Sequence, residues 1–302
     1  MVGISVGVWF YNAPPTTFPT EQVFRIEKGT TVRGVSKTLY EQGFIRSRPL
    51  FEFFVIFLDP KARVQAGDYL FAEPLPIHDL AIKIARGERG LDAFKVTIPE
   101  GFTVKEISTV VTEKYTHLDK TKLETLLKPH EGYLFPETYF FSPLVKEEEV
   151  VQAMLDMHTL RVRELEREFA ISKIPRKDII IMASIIEAEA LTDEERPYIS
   201  GILWKRINAG IPMQVDATFA YTLGKESKEL TVDDLRKDDP FNTYTRKGLP
   251  PAPIGNPGLA SIKAALKPTL STYWYYLHGT DGKIHYAVTH DEHVNNKRLY
   301  ID

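Results

Sequence analysis

The chain of 302 residues contains no cysteine. That absence excludes disulfides, thiolate zinc sites, iron–sulfur clusters and cysteine nucleophiles. It leaves the compartment open, because a thiol-free protein tolerates both reducing and oxidising surroundings. Charge of one sign is lacking too: 38 Lys+Arg stand against 41 Asp+Glu, a net charge of −3, with no basic excess of the kind non-specific nucleic-acid binding needs. There is no Gly-rich phosphate loop and no G-x-S-x-G nucleophile elbow. The apolar opening, Met1 to Tyr11, is shorter than the ~20 helical residues that cross a bilayer, and it has neither a basic segment before it nor a small-residue cleavage site after it. It reads either as a strand or leader, or as the outer end of a membrane anchor with Trp9, Phe10 and Tyr11 as its interfacial aromatic belt.

What is present is an ordinary globular balance, 43% hydrophobic and 26% charged, over a length that allows two or three domains. Pro14 to Pro19 form a linker that cannot continue a helix. Two later segments resemble each other: Val23 to Ser36 and Lys95 to Ser108. Each predicts a short strand, a Gly turn (Gly29, Gly101), a Thr cap (Thr31, Thr103) and an amphipathic helix. Between them, Leu50 to Leu58 predicts a core helix, Ala66 to Phe71 a strand, and His78 to Arg86 a helix ended by Gly87. Residues 116–130 suit a helical connector. A long helix is expected over 146–170, and Pro175 opens another from Lys177 to Ala190. The centre of that second helix, Ile179 to Ile186, is apolar all round, which marks it as a buried axis. Further helices are expected at Glu195–Ala209 and Ser261–Leu266, then a hairpin of Tyr273–Leu277 and Lys283–Val288, then a short helix from Asp291.

Glu187 and Glu189 close the buried helix. Two residues apart on a helix they point about 200° apart, so they cannot both serve one site. A carboxylate in apolar surroundings has a raised pKa, as a general acid near neutral pH requires. Glu187 continues the buried column Ile180–Ala183, whereas Glu189 is left to reach solvent. The competing reading of either is a helix-end carboxylate paired with Arg196 or Arg206. Met213 to Thr218 alternates as an edge strand would, aligning Gln214, Asp216 and Thr218 on one side. The proline-fixed stretch after Phe241 could present Asn242, Thr243 and Tyr244 to a polar ligand, or be a structural loop. His278, His285, His290 and His293 lack recognised metal-ligand spacing, so neither metal nor cofactor is expected.

Taken in order, Glu131 to Tyr139, Ala183 to Glu187, Met213 to Thr218, Asn242 to Tyr244, Gly248 to Pro251 and Ile254 to Gly258 resemble the endolytic murein transglycosylase family, the YceG-like proteins. The resemblance implies an α+β fold: an anchor remnant and linker over 1–19, a LysM-like domain with connector over 20–130, and a catalytic domain over 131–302. It implies a lyase at the outer face of the cytoplasmic membrane, held by one N-terminal helix that is truncated here. Such an enzyme cuts the MurNAc–GlcNAc bond within nascent glycan strands and leaves a 1,6-anhydro end. The resemblance puts the catalytic acid at Glu187 and substrate contacts at Glu131, Gln214, Asp216, Thr218, Asn242, Thr243 and Tyr244. The implied partners are peptidoglycan strands, the membrane and cell-wall synthases, with no nucleic acid. Two alternatives are a muramidase-type hydrolase, with Asp216 or Glu131 as second carboxylate, and a non-catalytic peptidoglycan-binding scaffold.

Overall fold

The computed structural model describes residues 11–20, 22–58, 64–71, 73–90, 93–225 and 227–301. The expectation for the apolar opening falls on residues 1–10 and so lies outside the described residues. Among the described residues no helix is long and apolar enough to cross a membrane. The architecture is α+β, with many helices and, among the described residues, three two-stranded sheets, and it divides into two compact units. One comprises residues 1–94 and 140–145; the other comprises 95–139 and 146–302. The second strand–helix copy falls in the larger unit.

In the first unit β1 (Phe24–Ile26) pairs antiparallel with β2 (Gly67–Tyr69), Phe24 opposite Tyr69. Helices α1 (Val32–Glu41), α2 (Arg48–Leu58) and α3 (Ile77–Arg86) pack against one core. Edge-to-face Phe18–Phe44 and Phe24–Phe44 pairs, at 5.3 and 5.4 Å, fill its centre. Helix α2 buries one face, Phe51 and Val55, and exposes Phe53, Ile56 and Phe57, so only half of the expected core helix is in the core.

The remaining elements follow in chain order: β3 (Phe94–Thr97), α4 (Val104–Lys114), α5 (Lys120–Leu127), β4 (Thr138–Phe141), α6 (Glu147–Val162), α7 (Glu166–Ile171), α8 (Arg176–Glu189), α9 (Arg196–Asn208), α10 (Ala217–Leu223), α11 (Val232–Arg236), α12 (Leu259–Leu266), β5 (Tyr275–His278), β6 (Ile284–Ala287) and α13 (His290–Tyr300). The long helix expected over 146–170 is interrupted by a 3-10 turn at Arg163–Leu165. The expected hairpin is β5–β6, with Tyr276 opposite Tyr286. The strand expected at 213–218 does not form: Gln214 takes φ +56°, outside the extended region, and helix α10 starts at Ala217.

The duplication runs deeper than the aligned motif. Gly29 and Gly101 both turn at positive φ, +88° and +81°, and Thr31 and Thr103 both cap the helix that follows. Beyond the caps, Ser36 Oγ donates to Glu52 and Ser108 Oγ donates to Glu124, each pair sixteen residues apart. Both serines are fully buried. Each copy thus ties its first helix to its second through the same buried link.

Candidate active site

Helix α8 starts after Pro175, whose fixed φ suits a helix entry, and runs through eight successive buried residues, Ile179 to Ile186. It is the axis of the larger core, packed by α9, α10 and α12. Polar side chains begin where the core ends, and there the two glutamates diverge.

Glu187 turns toward the body of the unit. One carboxylate oxygen accepts from Arg196 Nη2 at 2.9 Å and the other from the Gly258 amide at 2.8 Å. Its side chain is 6% exposed and that of Arg196 is 10% exposed. Arg196 also bonds Asp193 and Ser261 Oγ. Glu100 stands 4.0 Å from the same guanidinium, and burial and the Glu187 charge raise its pKa. Both oxygens of Glu187 therefore join the first turns of α9 and α12 to the end of α8. This is the arginine-paired arrangement, with Arg196 as the partner.

Glu189 turns the other way and is half-buried rather than solvated. Its Oε2 accepts from Tyr276 Oη at 2.8 Å. Burial raises its pKa; the Tyr276 hydroxyl pulls against that shift, Asp216 adds to it, and the Ala217 amide and His278 oppose it. A carboxylate at a helix C-terminus also meets the negative end of the helix dipole, which disfavours its ionised form.

Glu189 and Asp216 line a cavity of about 530 Å³ together with Gln214, Tyr244, Trp274 and Tyr276. They also line an adjoining cavity of about 510 Å³, walled by Gly101, Thr103, Tyr221, Lys225 and His278. A third, of about 880 Å³, shares Thr103, Glu106, Ala220 and Tyr221 with the second. The three follow one another, and Glu189 sits where the first two meet. Asp216 is fixed by Tyr244 Oη at 2.5 Å, and burial and that contact push the Tyr244 hydroxyl pKa up. Gln214 accepts from the buried Arg206.

Three of the expected contact residues, Gln214, Asp216 and Tyr244, are thus brought together around Glu189. Three others are inside the scaffold. Asn242 is 1% exposed, donates to Leu235 and Lys237 carbonyls and accepts from the amides of Tyr244 and Thr245. The Thr243 and Thr218 hydroxyls both bond Val215 backbone groups. These residues shape the loops that carry Gln214 and Asp216, and the extended-strand reading that set Thr218 beside them fails with the strand. Glu131 lines the third cavity. It accepts from Val104 N at the start of α4 and from Asn256 Nδ2, and burial pushes its carboxyl up to about 7.

Sequence reasoning missed Tyr276 and Trp274 and weighed His278 only as a metal ligand; the available signal was the aromatic density of Tyr273–Tyr276 within a predicted hairpin strand. Among the described residues no group of three or more His, Asp and Glu could hold a metal ion.

Comparison with known proteins adds an independent line. The YceG-like family profile matches residues 24–299. The chain is 30% identical over 303 aligned positions to the endolytic murein transglycosylase of Bacillus subtilis, covering 91% of this chain and 84% of that protein. It is 24% identical to the endolytic murein transglycosylase of Streptococcus pneumoniae D39, over 92% of this chain and 58% of that longer protein. A crystal structure of a YceG-like protein from Listeria monocytogenes superposes with a TM-score of 0.62 at 28% identity, covering 91% of this chain and 98% of that one.

Proposed function

Because the chain belongs to the YceG-like family and has curated relatives that are endolytic murein transglycosylases, we propose that it is a lytic transglycosylase of peptidoglycan whose general acid is Glu189 rather than Glu187. The observation that carries the choice is the fate of the two carboxylates. Glu187 has both oxygens committed, one to Arg196 and the other to the Gly258 amide. Glu189 lines two adjoining cavities, and burial favours its protonated form. An acid midway along successive cavities suits cleavage inside a polymer, with sugars on both sides of the cut bond.

Protonated Glu189 donates to the oxygen leaving C1 of MurNAc. The glycosidic bond breaks, and the C6 hydroxyl of the same MurNAc attacks its own C1. The carboxylate then takes the proton from that hydroxyl, closing the 1,6-anhydro ring. No enzyme nucleophile is needed, because the attack is intramolecular and benefits from a high effective molarity. Asp216, oriented by Tyr244 and lining the same cavity as Glu189, supplies the negative charge that favours the oxocarbenium-like state. Tyr276 positions Glu189.

A hydrolase is the second reading, favoured by Asp216 sharing the Glu189 cavity, since paired carboxylates can activate water. Digestion of uncrosslinked glycan strands separates the two: ends that lack the mass of water support the transglycosylase, and ends that have gained it support hydrolysis.

The same reading sets the enzyme outside the cytoplasm, where its substrate is. We further propose that the first unit is a LysM-like glycan-binding domain, that an N-terminal anchor attaches the chain to the cytoplasmic membrane, and that cell-wall synthases are its partners there.

A further inference from the structure

One wall of the 530 Å³ cavity is cationic. Arg206, His290, His293 and Lys297 line it, with Tyr275 among them. Arg206 is 6% exposed, and its guanidinium bonds only neutral acceptors: the carbonyls of Pro212 and Trp274 and the side-chain oxygen of Gln214. It also lies 5.3 Å from the centre of the Tyr275 ring, on which His293 stacks at 5.2 Å and which His290 meets edge-on at 5.8 Å. The Nδ1 atom of His293 is buried without a hydrogen-bond partner. Burial lowers the His293 pKa, and His290, Arg206 and Lys297 lower it further, with no carboxylate opposing them. Among the described residues none of the four basic side chains forms an ion pair with a carboxylate.

A buried guanidinium without a counterion is costly unless an anion completes it. The acids of the same cavity do not supply that anion, because Glu189 is engaged by Tyr276 and Asp216 by Tyr244. We infer that this wall is a carboxylate-binding subsite that takes the acidic side arm of the muramic sugar. The inference rests on the peptidoglycan reading and adds a specificity element to it. Arg206 supplies fixed positive potential, since most of its N–H groups are already used. Lys297 and His293 supply the donors that touch the ligand. Asp216, lining the same cavity, repels the same carboxylate. Cationic and acidic walls together set the sugar's orientation, side arm toward α13 and ring toward Glu189. The carboxylate can come from the lactyl group itself or from the peptide stem joined through it; the chemistry of capture is the same.

The test is calorimetric binding of GlcNAc–MurNAc disaccharides to the intact chain at low salt. Four ligands are compared: stem-bearing with free carboxylates, stem-bearing with those carboxylates amidated, stem-free with a free lactyl carboxylate, and stem-free as the lactyl methyl ester. The expected result is about tenfold tighter binding of a charged ligand than of its neutral counterpart. The stem pair shows the difference if the stem is the source, and the lactyl pair shows it if the lactyl group is. In the Lys297→Gln/His293→Gln double variant that difference disappears. Lys297→Gln alone, at an exposed position, shows a partial loss and covers the case of a misfolded double variant. Equal binding of charged and neutral ligands by the wild type, or a difference that survives in the variants, would overturn the inference. Charge discrimination without release of anhydro ends would refute the transglycosylase reading and leave the subsite standing; anhydro release without charge discrimination would do the reverse.

Discussion

Replacing Glu187 with Gln should cost stability and leave chemistry. In the wild type one oxygen faces Arg196 Nη2 at 2.9 Å and the other the Gly258 amide at 2.8 Å, both donors. An amide offers one acceptor oxygen and one NH2 group, so one of those donors must face another donor. The change removes one charge-assisted hydrogen bond, about 1.5–3 kcal/mol, and leaves a buried donor unsatisfied. Arg196 keeps Asp193 and Ser261, so its charge is not orphaned and the larger penalty of a broken buried ion pair is softened. A loss of about 2–4 kcal/mol follows, which for a unit of this size lowers the melting temperature by roughly 5–15 °C. Differential scanning calorimetry reads the shift, and product release per folded molecule is measured well below the transition. Expected is a lower melting temperature with activity within a few-fold of wild type. An unchanged melting temperature with product release abolished would refute the reasoning and return the acid role to Glu187.

Tyr276→Phe removes the hydroxyl that lowers the Glu189 pKa, so the alkaline limb of the pH–rate profile, where the acid form is lost, should move to higher pH. No movement of that limb would contradict Glu189 as the titrating acid. Glu131 keeps its proton up to about pH 7 in the fold, whereas an ordinary glutamate loses it near 4.5. Its contribution to stability is therefore fully present below pH ~4.5 and lost as pH rises through about 7, by at most about 3 kcal/mol. Glu131→Gln should flatten that part of the denaturation-versus-pH curve; an unaltered slope would contradict the assignment. Gly201 lies in α9, where a Cβ would stand 1.9 Å from the Thr269 carbonyl oxygen, so Gly201→Ala should destabilise the larger unit by about 3 kcal/mol or more in urea titration, and near-wild-type stability would contradict that packing.

Local signals in the sequence carried much of the fold. The Thr caps, the Gly turns and the helix ended by Gly87 are set by side chain-to-backbone bonds and by φ within a few residues, and all form as expected. The all-apolar run from Ile179 to Ile186 located the buried axis for a similar reason, since no other position tolerates a helix without a polar face. Tertiary information was less legible. The alternation of Met213 to Thr218 matched a strand, yet Gln214 bends to meet Arg206, whose place depends on α9 and the hairpin. Helical periodicity separated the directions of Glu187 and Glu189 but could not say which faced a cavity. That depended on Arg196, Gly258 and Tyr276, which approach from other elements. Asn242 and Thr243 drew attention as polar groups on a rigid loop, and the same rigidity comes from their bonds to backbone.

Whether Glu189 is the acid is tested most directly by the release of 1,6-anhydro-MurNAc ends from uncrosslinked glycan strands by Glu189→Gln, read by mass spectrometry beside wild type and Glu187→Gln. Glu189→Gln should melt like wild type while its rate falls by roughly 10²–10⁴-fold, and Glu187→Gln should still release anhydro ends. Release of anhydro ends by Glu189→Gln at the wild-type rate would contradict that role.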